Sequence, residues 1–300
     1  MRDVSFKNTT RRSATARAEL FAAGETLERV AAGDTPKGDP IPVAKVAAIQ
    51  ATKKTTEWIP YCHNIPIEHV DVRFEFLDDR IAVDVYVVSI AKTGVEMEAI
   101  TAAAAAVITL YDMLKMIDET MVIGSIRLLD KTGGKSDLPL LGGWTASVIV
   151  LSDRASRGEY DDRSGPLLKF GLEAHGAADV NLVVLPDDAD GLRQAVHSAV
   201  RQERALLIVC GGTGLGPHDI TFDTLTPVLE RTLPGVVDAF MQYSQARVPT
   251  AMLARPLAGL IENTLVLAIP GSPGAAQDAL HALLPSLLHF RSILAGEGHP

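Results

Sequence analysis

This 300-residue chain has few cysteines and few aromatic residues, and its acidic residues outnumber its basic ones. The two cysteines, Cys62 and Cys210, lie far apart and form no CxxC pair, so neither a disulfide framework nor a zinc site is expected. A net charge of -9 with 5% aromatic residues argues against a nucleic-acid-binding surface. The start of the chain has no apolar signal core, and we expect no apolar stretch to be long enough and clean enough to cross a bilayer. A cytoplasmic protein without nucleic-acid or membrane partners is predicted.

Length and composition indicate two domains. The chain is longer than one typical domain, and its content of 47% hydrophobic and 22% charged residues is normal for globular proteins. Pro139, Gly142 and Gly143 interrupt the pattern between Asp137 and Trp144, which predicts a linker. We therefore expect one domain over residues 1–138 and another over 145–300.

The first half combines strand-like and helix-like segments in a way typical of an α+β domain. The segments 69–79 and 80–91 alternate apolar and polar residues and predict adjacent strands with a polar turn between them. Helices are expected near Lys45–Lys54 and Ala99–Met116. Alternation alone does not distinguish among the two-layer folds that combine such strands and helices.

Charged residues on the second of these helices mark a candidate active site. Asp112 and Lys115 stand three apart on one face, and Glu96 and Glu98 stand near its start, where the helix dipole favours anions. An isolated Asp-x-x-Lys pair is usually an ordinary salt bridge. On a helix that is otherwise apolar, however, a lysine held beside a carboxylate is a candidate general acid or base once burial shifts its proton affinity.

Five ordered segments of the first half carry a family resemblance. They are MRDVSFKNTTRRSATARA, KGDPIPVAKVAAIQATKKTTEWIPYCHNIPIEHVDV, TGVEMEAIT, YDMLK and RLLDKTGGKS. In this order they resemble the cyclic pyranopterin monophosphate synthase family of molybdenum cofactor biosynthesis. The resemblance implies a ferredoxin-like architecture and conversion of a cyclised dihydro-GTP to a pyranopterin with a cyclic phosphate, with loss of pyrophosphate.

The resemblance also assigns roles to residues. It implies that Asp112 and Lys115 are catalytic. The substrate-binding residues that it implies are Lys37, His63, Glu96, Glu98, Lys131 and Lys135. A triphosphate substrate needs local cations in an acidic protein, and Lys53 and Lys54 are further candidates, although they equally suit a solvated helix face. The sequence departs from the family pattern at Asn64 and Asp137, neither of which is assigned to chemistry.

The sequence pattern of the second half is typical of an α/β domain. Apolar strands such as TASVIVLS, VNLVVLP and ALLIVC alternate with helix-like segments, which predicts a mostly parallel sheet in a three-layer α/β arrangement. Ligands of such sheets bind beyond the carboxyl ends of the strands. The loops that follow these three strands carry most of the polar motif residues of this half.

A glycine-rich loop, GGTGLGPHD, follows the third strand. It matches neither the dinucleotide fingerprint nor the P-loop, and a tight turn would explain it equally well by itself. Its glycines allow backbone amides to approach an anion. Together with LSDRAS, GEYDD, LPDDAD, TLPGVVDAF and LAIPGSPGA it resembles the molybdopterin adenylyltransferase family, which implies transfer of AMP from the co-substrate ATP to molybdopterin, with Mg²⁺ and release of pyrophosphate.

This second resemblance implies that Asp187 and Asp219 are catalytic and hold Mg²⁺. The binding residues that it implies are Ser152, Asp153, Ser164, Gly212, Thr213, Gly214 and Ser272. Asp188 is better explained as a helix cap, and Asp223 as a residue of a helix N-terminus. His218 stands where the family often has Arg.

Both resemblances together predict a bifunctional molybdenum cofactor biosynthesis enzyme acting on pterin and nucleotide substrates. They also imply a homo-oligomer, trimer-based or hexameric, with the first site built between subunits. Two alternatives remain open. The second domain can be a non-catalytic molybdopterin-binding or assembly module, or the chain can be a regulatory nucleotide-binding protein that releases no pyrophosphate.

Overall fold

A computed structural model describes residues 1–134 and 142–297, and these residues fall into two compact units, Met1–Asp137 and Leu138–Pro300. The strands of the first unit are β1 (Thr10–Phe21), β2 (His69–Leu77), β3 (Arg80–Ala91) and β4 (Val122–Thr132). Its helices are α1 (Gly24–Ala32), α2 (Pro40–Lys53), α3 (Thr55–Trp58) and α4 (Glu96–Leu114).

The first unit is an antiparallel sheet with helices, in the strand order β2-β3-β1-β4. Three helices join β1 to β2, and α4 joins β3 to β4, which is the β-α-β-β-α-β order of a ferredoxin-like domain. Ala14, Ala16 and Ala18 of β1 lie in one core with alanines of α4. The predicted α+β fold class is confirmed.

Helix α4 is buried along most of its length because nearly every position is apolar. Its hydropathy over an 18-residue window is 1.4, so by length and composition alone it could cross a membrane. The expectation that no stretch is long and apolar enough was therefore wrong. In the structure 61% of that window is buried inside the protein, where it packs against α2 and the sheet.

The second unit contains the remaining elements. Its strands are β5 (Trp144–Leu151), β6 (Ala177–Leu185), β7 (Leu206–Cys210), β8 (Arg231–Thr232), β9 (Leu257–Ile261) and β10 (Thr264–Ile269). Its helices are α5 (Asp153–Ser156), α6 (Ser164–Ala174), α7 (Ala189–Arg201), α8 (Thr221–Leu225), α9 (Pro234–Gln245), α10 (Pro273–Leu283) and α11 (Phe290–Leu294). Short 3₁₀ segments lie at Thr226–Val228, Pro249–Leu253 and Ser286–His289.

These strands form one six-stranded sheet in the order β6-β5-β7-β10-β9-β8. The four strands β6, β5, β7 and β10 run parallel, whereas β9 is antiparallel to both of its neighbours, β10 and β8. Val148 and Val150 of β5 face a core that contains α6, α9 and α10, while Ile149 and Leu151 face a core that contains α7 and α8. Helices thus cover both faces, and the predicted mostly parallel three-layer α/β fold is confirmed.

Candidate functional site

The carboxylate of Asp112 lies between two lysines at the end of α4. Lys37 Nζ donates to Asp112 Oδ2 at 2.9 Å and to its carbonyl oxygen at 2.8 Å. Lys115 Nζ lies 2.7 Å from Asp112 Oδ1. Hydrogen bonds from Lys115 and Lys37 lower the pKa of Asp112 to about 2, and Asp112 in turn raises the pKa of Lys115. The three predicted residues form one connected group.

This group differs from the sequence expectation in its exposure. The side chains of Asp112 and Lys115 are 55% and 53% exposed, because Lys115 caps the helix beyond its buried part. The hydrogen bond and the charge of Asp112 outweigh burial, which acts to lower the pKa of Lys115. The carboxylate beside it stabilises the ammonium form, so at neutral pH Lys115 is a proton donor and a positive charge.

A second group of predicted residues lies at the start of α4. Lys131 Nζ donates to Glu96 Oε1 at 3.0 Å. Burial acts to raise the pKa of Glu96, but a backbone hydrogen bond and Lys131 outweigh it and hold the pKa below its usual value. Glu98 is 4% exposed, and burial, with the charge of Glu96, raises its pKa. The pKa values of two glutamates that are two residues apart thus shift in opposite directions, because Glu98 is buried and Glu96 is paired with Lys131.

His63 belongs to the neighbourhood of the start of α4. Burial raises the pKa of its neighbour Cys62, and the charge of Glu98 raises this pKa further. The segment that contains Cys62 therefore lies near Glu98. Hydrogen bonds from Ser5 lower the pKa of Asp3, and the charge of His63 contributes to the shift. Lys135 lies outside the described residues.

Sequence reasoning missed Arg12. Its Nη1 donates to the Gly133 carbonyl oxygen at 2.9 Å, and its charge contributes to the low pKa of Glu96. Its Nε is buried and has no hydrogen-bond partner among the described residues, so one donor remains to be satisfied. The strand alternation contained a signal, since Arg12 falls on the same face of β1 as the buried Ala14 and Ala16.

The two groups lie at opposite ends of one helix. Sixteen residues separate Glu96 from Asp112, and at about 1.5 Å of rise per residue their backbones are about 24 Å apart. A single small molecule does not reach both groups in one chain. The predicted residues of the first half are thus brought together as two clusters and not as one site.

The predicted residues of the second half gather at the carboxyl ends of the parallel strands. A cavity of about 580 Å³ lies where β5, β6, β7 and β10 end. The predicted residues that line it are Ser152, Asp187, Gly212, Thr213, Gly214 and Asp219. Topology explains this convergence, because parallel strands direct their following loops to one edge of the sheet.

Reciprocal hydrogen bonds fix the first two loops of this cavity. The backbone N–H of Asp153 donates to Asp187 Oδ2 at 3.0 Å, and that of Asp187 donates to Asp153 Oδ1 at 3.1 Å. Asp153 therefore positions Asp187. Ser164 is buried and donates to Asp162 Oδ1 at 2.6 Å, and Asp162 itself lines the cavity. The sequence motif contained Asp162, but no role was assigned to it.

The glycine-rich loop is held by its own geometry and by a distant arginine. Gly211 has a φ of 120°, and a Cβ there would come within 2.3 Å of the Leu151 carbonyl oxygen, so a side chain does not fit. Arg255 Nε donates to the Gly214 carbonyl oxygen at 3.1 Å, and its Nη2 donates to the Asp219 carbonyl oxygen at 3.1 Å. No spacing rule in the sequence links Arg255 to this loop.

Other predicted residues occupy structural positions beside the cavity. Ser272 caps α10 by accepting from Ala275 N, and Ser152 caps α5. Asp188 accepts from Gly191 N at the start of α7, which confirms the helix-cap interpretation. Asp223 lies in the first turn of α8, as expected, and also forms an ion pair with Arg255.

The cavity carries negative charge, which bears on metal binding. Three aspartates, Asp162, Asp187 and Asp219, line it, and the basic side chain in the lining is His218. Asp187 and Asp219 each accept a backbone N–H through Oδ2. Among the described residues, no cluster of three metal-ligating side chains occurs. Two carboxylates fit Mg²⁺, which in nucleotide sites is held by one or two carboxylates together with phosphate oxygens and water.

Comparisons with known proteins cover both halves. Residues 1–134 match the model of the MoaC family, and residues 147–289 match that of the probable molybdopterin binding domain. A molybdenum cofactor biosynthesis bifunctional protein of Chlorobaculum tepidum is 41% identical over all of this chain and 96% of its own length. A cyclic pyranopterin monophosphate synthase of Roseiflexus castenholzii is 47% identical over 45% of this chain and 87% of its own length.

A solved structure, the molybdopterin biosynthesis Mog protein of Mycobacterium ulcerans, is 33% identical and covers 51% of this chain and 99% of its own, with a TM-score of 0.48. The ordered motifs of both halves agree with the family matches and with the full-length relative. The chain therefore belongs to the family of bifunctional molybdenum cofactor biosynthesis proteins, with a MoaC-family domain followed by a molybdopterin-binding domain.

Proposed function

We propose that the first unit converts a cyclised dihydro-GTP to cyclic pyranopterin monophosphate and pyrophosphate, and that the second adenylylates molybdopterin with ATP. The observation that carries the first assignment is the Lys37–Asp112–Lys115 group on the motif residues of a MoaC-family domain. The second assignment is supported by the acidic cavity at the glycine-rich loop.

In the first reaction the charges of the group define its chemistry. Asp112 remains ionised because two ammonium groups contact it, and Lys115 remains protonated because Asp112 stabilises its charge. Lys115 thus acts first as a proton donor, and Lys37 adds positive charge where pyrophosphate leaves. Arg12, whose buried Nε has no hydrogen-bond partner among the described residues, and the exposed Lys131 supply donors for phosphate oxygens at the other end of α4.

The separation of the two clusters leads to a proposal about assembly. The Asp112 end of α4 in one chain and the Glu98 end in a second chain form one site, since about 24 Å separates them within a chain. A homo-oligomer, trimer-based or hexameric, satisfies this need. We propose that this oligomer is cytoplasmic.

In the second reaction the protein aligns phosphates and balances charge. Asp187 and Asp219 would hold Mg²⁺, with Asp153 positioning Asp187, and the ion would supply positive charge to offset that of the phosphates. Amides of Gly212, Thr213 and Gly214 face the phosphates. Ser152, Ser164 and Ser272 shape the surrounding loops.

The alternative, a non-catalytic molybdopterin-binding module, is favoured by the description of the domain family as a probable molybdopterin binding domain. Pyrophosphate release distinguishes the two, because a binding module does not cleave ATP. We expect pyrophosphate from the cyclised nucleotide alone, and separately from ATP with molybdopterin and Mg²⁺.

Asp219→Ala tests the assignment of each activity to one unit. We expect it to lower adenylylation by about 100-fold or more, since a ligand of metal and phosphate is lost, and to leave pyranopterin synthesis at the parent rate. Asp190→Ala, which removes an exposed carboxylate paired only with Arg193 in the described contacts, is the matched control. Unchanged adenylylation by Asp219→Ala would remove this residue from the mechanism. Loss of both activities with a large fall in Tm would show that Asp219 is structural.

A further inference from the structure

A buried carboxylate outside the proposed sites, that of Asp118, lies in the turn between α4 and β4. The residue is 7% exposed, and its oxygens are surrounded by donors. Oδ1 accepts the backbone N–H of Thr120 at 2.8 Å and the Thr120 hydroxyl at 2.6 Å, and Oδ2 accepts the backbone N–H of Ala23 at 2.8 Å. Thr26, which is also buried, forms a further hydrogen bond to it. No step of the proposed pyranopterin synthesis uses this group.

The carboxylate of Asp118 caps the start of α1. Burial acts to raise the pKa of Asp118, but hydrogen bonds from Thr120, Ala23 and Thr26 outweigh it and hold the pKa below its usual value. The group is therefore ionised at neutral pH, and the dipole of α1 favours a negative charge at this end. Ala23 precedes the helix and has no polar side chain that could cap it. Asp118 takes over this function from a distant part of the chain.

Helix α1 buries little of its surface. Of its nine residues three are buried, namely Thr26, Leu27 and Val30. Thr26 takes part in the contact with Asp118, so two side chains, Leu27 and Val30, provide the buried apolar contacts of the helix with the core. The hydrogen bonds to Asp118 therefore contribute much of what fixes the position of α1.

The other end of α1 leads directly to Lys37. Gly33 ends the helix with a φ of 71°. In the turn that follows, the Gly38 N–H donates to the Thr35 carbonyl oxygen at 3.0 Å, and the Thr35 hydroxyl donates to the Gly38 carbonyl oxygen at 2.5 Å. Lys37 lies within this turn and from there reaches the carboxylate and the carbonyl oxygen of Asp112. A nine-residue helix is a rod of about 13 Å, so a shift at its start also moves Lys37.

The backbone of Asp118 is joined to the end of α4. Its N–H and that of Ile117 donate to the Leu114 carbonyl oxygen at 3.2 and 2.9 Å. These bonds fix the turn that begins with Lys115. The side chain of Asp118 thus holds the helix that leads to Lys37, while its backbone belongs to the turn that contains Lys115.

We propose that Asp118 is a positioning residue for the first reaction, which holds Lys37 against Asp112 by anchoring the start of α1 to the end of α4. The inference rests on the proposed pyranopterin synthesis. Asp118 touches no substrate, and it acts by keeping the ammonium group of Lys37 in place before pyrophosphate leaves. Its loss therefore slows the chemical step and leaves binding of the nucleotide unchanged.

Pyranopterin synthesis by variants of the full chain tests this role. Asp118→Asn keeps the size of the side chain but turns an amide donor towards groups that are themselves donors, and we expect kcat to fall about tenfold while the KM for the cyclised nucleotide stays unchanged. Ala23→Pro removes only the partner N–H, because the φ of Ala23 is -61° and proline adopts this value, and it should lower kcat by a smaller factor. Glu25→Gln, which removes an exposed carboxylate from the first turn of the same helix, is the matched control and should alter neither constant.

A double-variant cycle distinguishes positioning from a general loss of structure. If Asp118 acts through Lys37, Asp118→Asn should have little further effect on kcat in a Lys37→Ala background, whereas independent losses multiply. Amide hydrogen exchange over residues 33–38 is a second measurement and needs no turnover. It should accelerate about tenfold in Asp118→Asn and Ala23→Pro but not in Glu25→Gln.

Each other outcome bears on the proposal. Parental kcat in Asp118→Asn overturns it, and so do losses that multiply in the double variant with Lys37→Ala. If Asp118→Asn does not fold, Ala23→Pro decides the question in the same cycle, and parental kcat and exchange in that variant overturn the proposal. A parent protein that does not turn over the cyclised nucleotide refutes the proposed synthesis. The exchange of residues 33–38 then still decides whether Asp118 positions Lys37, since acceleration retains the anchor and parental exchange refutes it.

Discussion

Asp112 shows how two neighbours set the chemistry of one residue. With Lys37 and Lys115 both within 2.9 Å or less of its carboxylate oxygens, it can neither take up a proton near neutral pH nor move freely. In the proposed mechanism Lys115 is then the group that moves a proton. An exposed ion pair of this kind contributes little to stability, so its presence is better explained by chemistry than by folding.

Lys115→Ala should therefore remove activity and preserve the fold. We expect pyranopterin formation to fall by about 100- to 10,000-fold, because a positioned proton donor is lost, with a Tm close to that of the parent. Lys45→Ala, which removes an exposed lysine of α2, is the control and should retain activity. Turnover of the cyclised nucleotide by Lys115→Ala at near the parent rate would contradict the mechanism.

Glu98 leads to a prediction about pH. Its pKa is raised chiefly by burial, so ionisation costs more in the folded chain than in the unfolded one. Stability linked to this group is fully present below its ordinary pKa of 4.5 and is lost as pH rises through the raised value. Glu98→Gln should thus have a higher Tm than the parent at pH 7 and nearly the same Tm at pH 4. A Tm difference that does not change with pH would show that Glu98 is not destabilised by burial.

At the level of elements, the sequence predicted what local patterns determine. The apolar run after Gly94 predicted a helix over Ala99–Met116, and the structure has α4 at Glu96–Leu114. The strands and the loops at their carboxyl ends were also predictable, because alternation and topology determine them. Contacts between segments that lie far apart in the sequence were not predictable. Arg255 lies 41 residues from Gly214, and the exposure of Lys115 depends on where α4 leaves the core.

The glycine-rich loop provides a prediction at this scale. Arg255 holds the carbonyl oxygens of Gly214 and Asp219, and its own backbone N–H donates to the Thr213 carbonyl oxygen at 2.7 Å. Arg255→Lys keeps the positive charge but replaces the planar guanidinium, whose N–H groups reach both carbonyl oxygens, by a single ammonium group. We expect amide hydrogen exchange over 213–219 to accelerate by about tenfold and the kcat of adenylylation to fall more than the KM for ATP changes.

Arg193→Lys is the control for that measurement, because Arg193 lines a neighbouring cavity with Arg255 but pairs with Asp190. It should leave both the exchange of the loop and the kcat unchanged. Parental exchange over 213–219 in Arg255→Lys would show that the loop needs no support from this guanidinium.

At the scale of the whole molecule, the two clusters on α4 predict complementation between chains. Lys115→Ala and Lys131→Ala each damage a different end of the helix, so a mixed pair of chains retains one intact shared site. In a randomly mixed oligomer each shared site takes one end from each of two chains, so about a quarter of the parental pyranopterin synthesis should return, whereas each variant alone is inactive.

A mixture of Lys115→Ala with Asp112→Ala is the matched control, because both changes damage the same end and no pairing restores it. Native mass spectrometry verifies that mixed oligomers form. If they form and Lys115→Ala with Lys131→Ala still shows no recovery, each chain contains its own complete site and the proposed assembly is wrong.

The length of α4 also has a consequence for how the two activities respond to protein concentration. A site that needs one end of α4 from each of two chains exists only in associated chains, so on dilution below the dissociation constant the first activity falls more steeply than the protein concentration. The proposed adenylylation, by contrast, uses residues that one chain gathers in a single cavity, and it therefore needs no second chain. A cell that makes little of this protein would therefore lose the first reaction before the second, and the ratio of the two rates would report how many chains are paired.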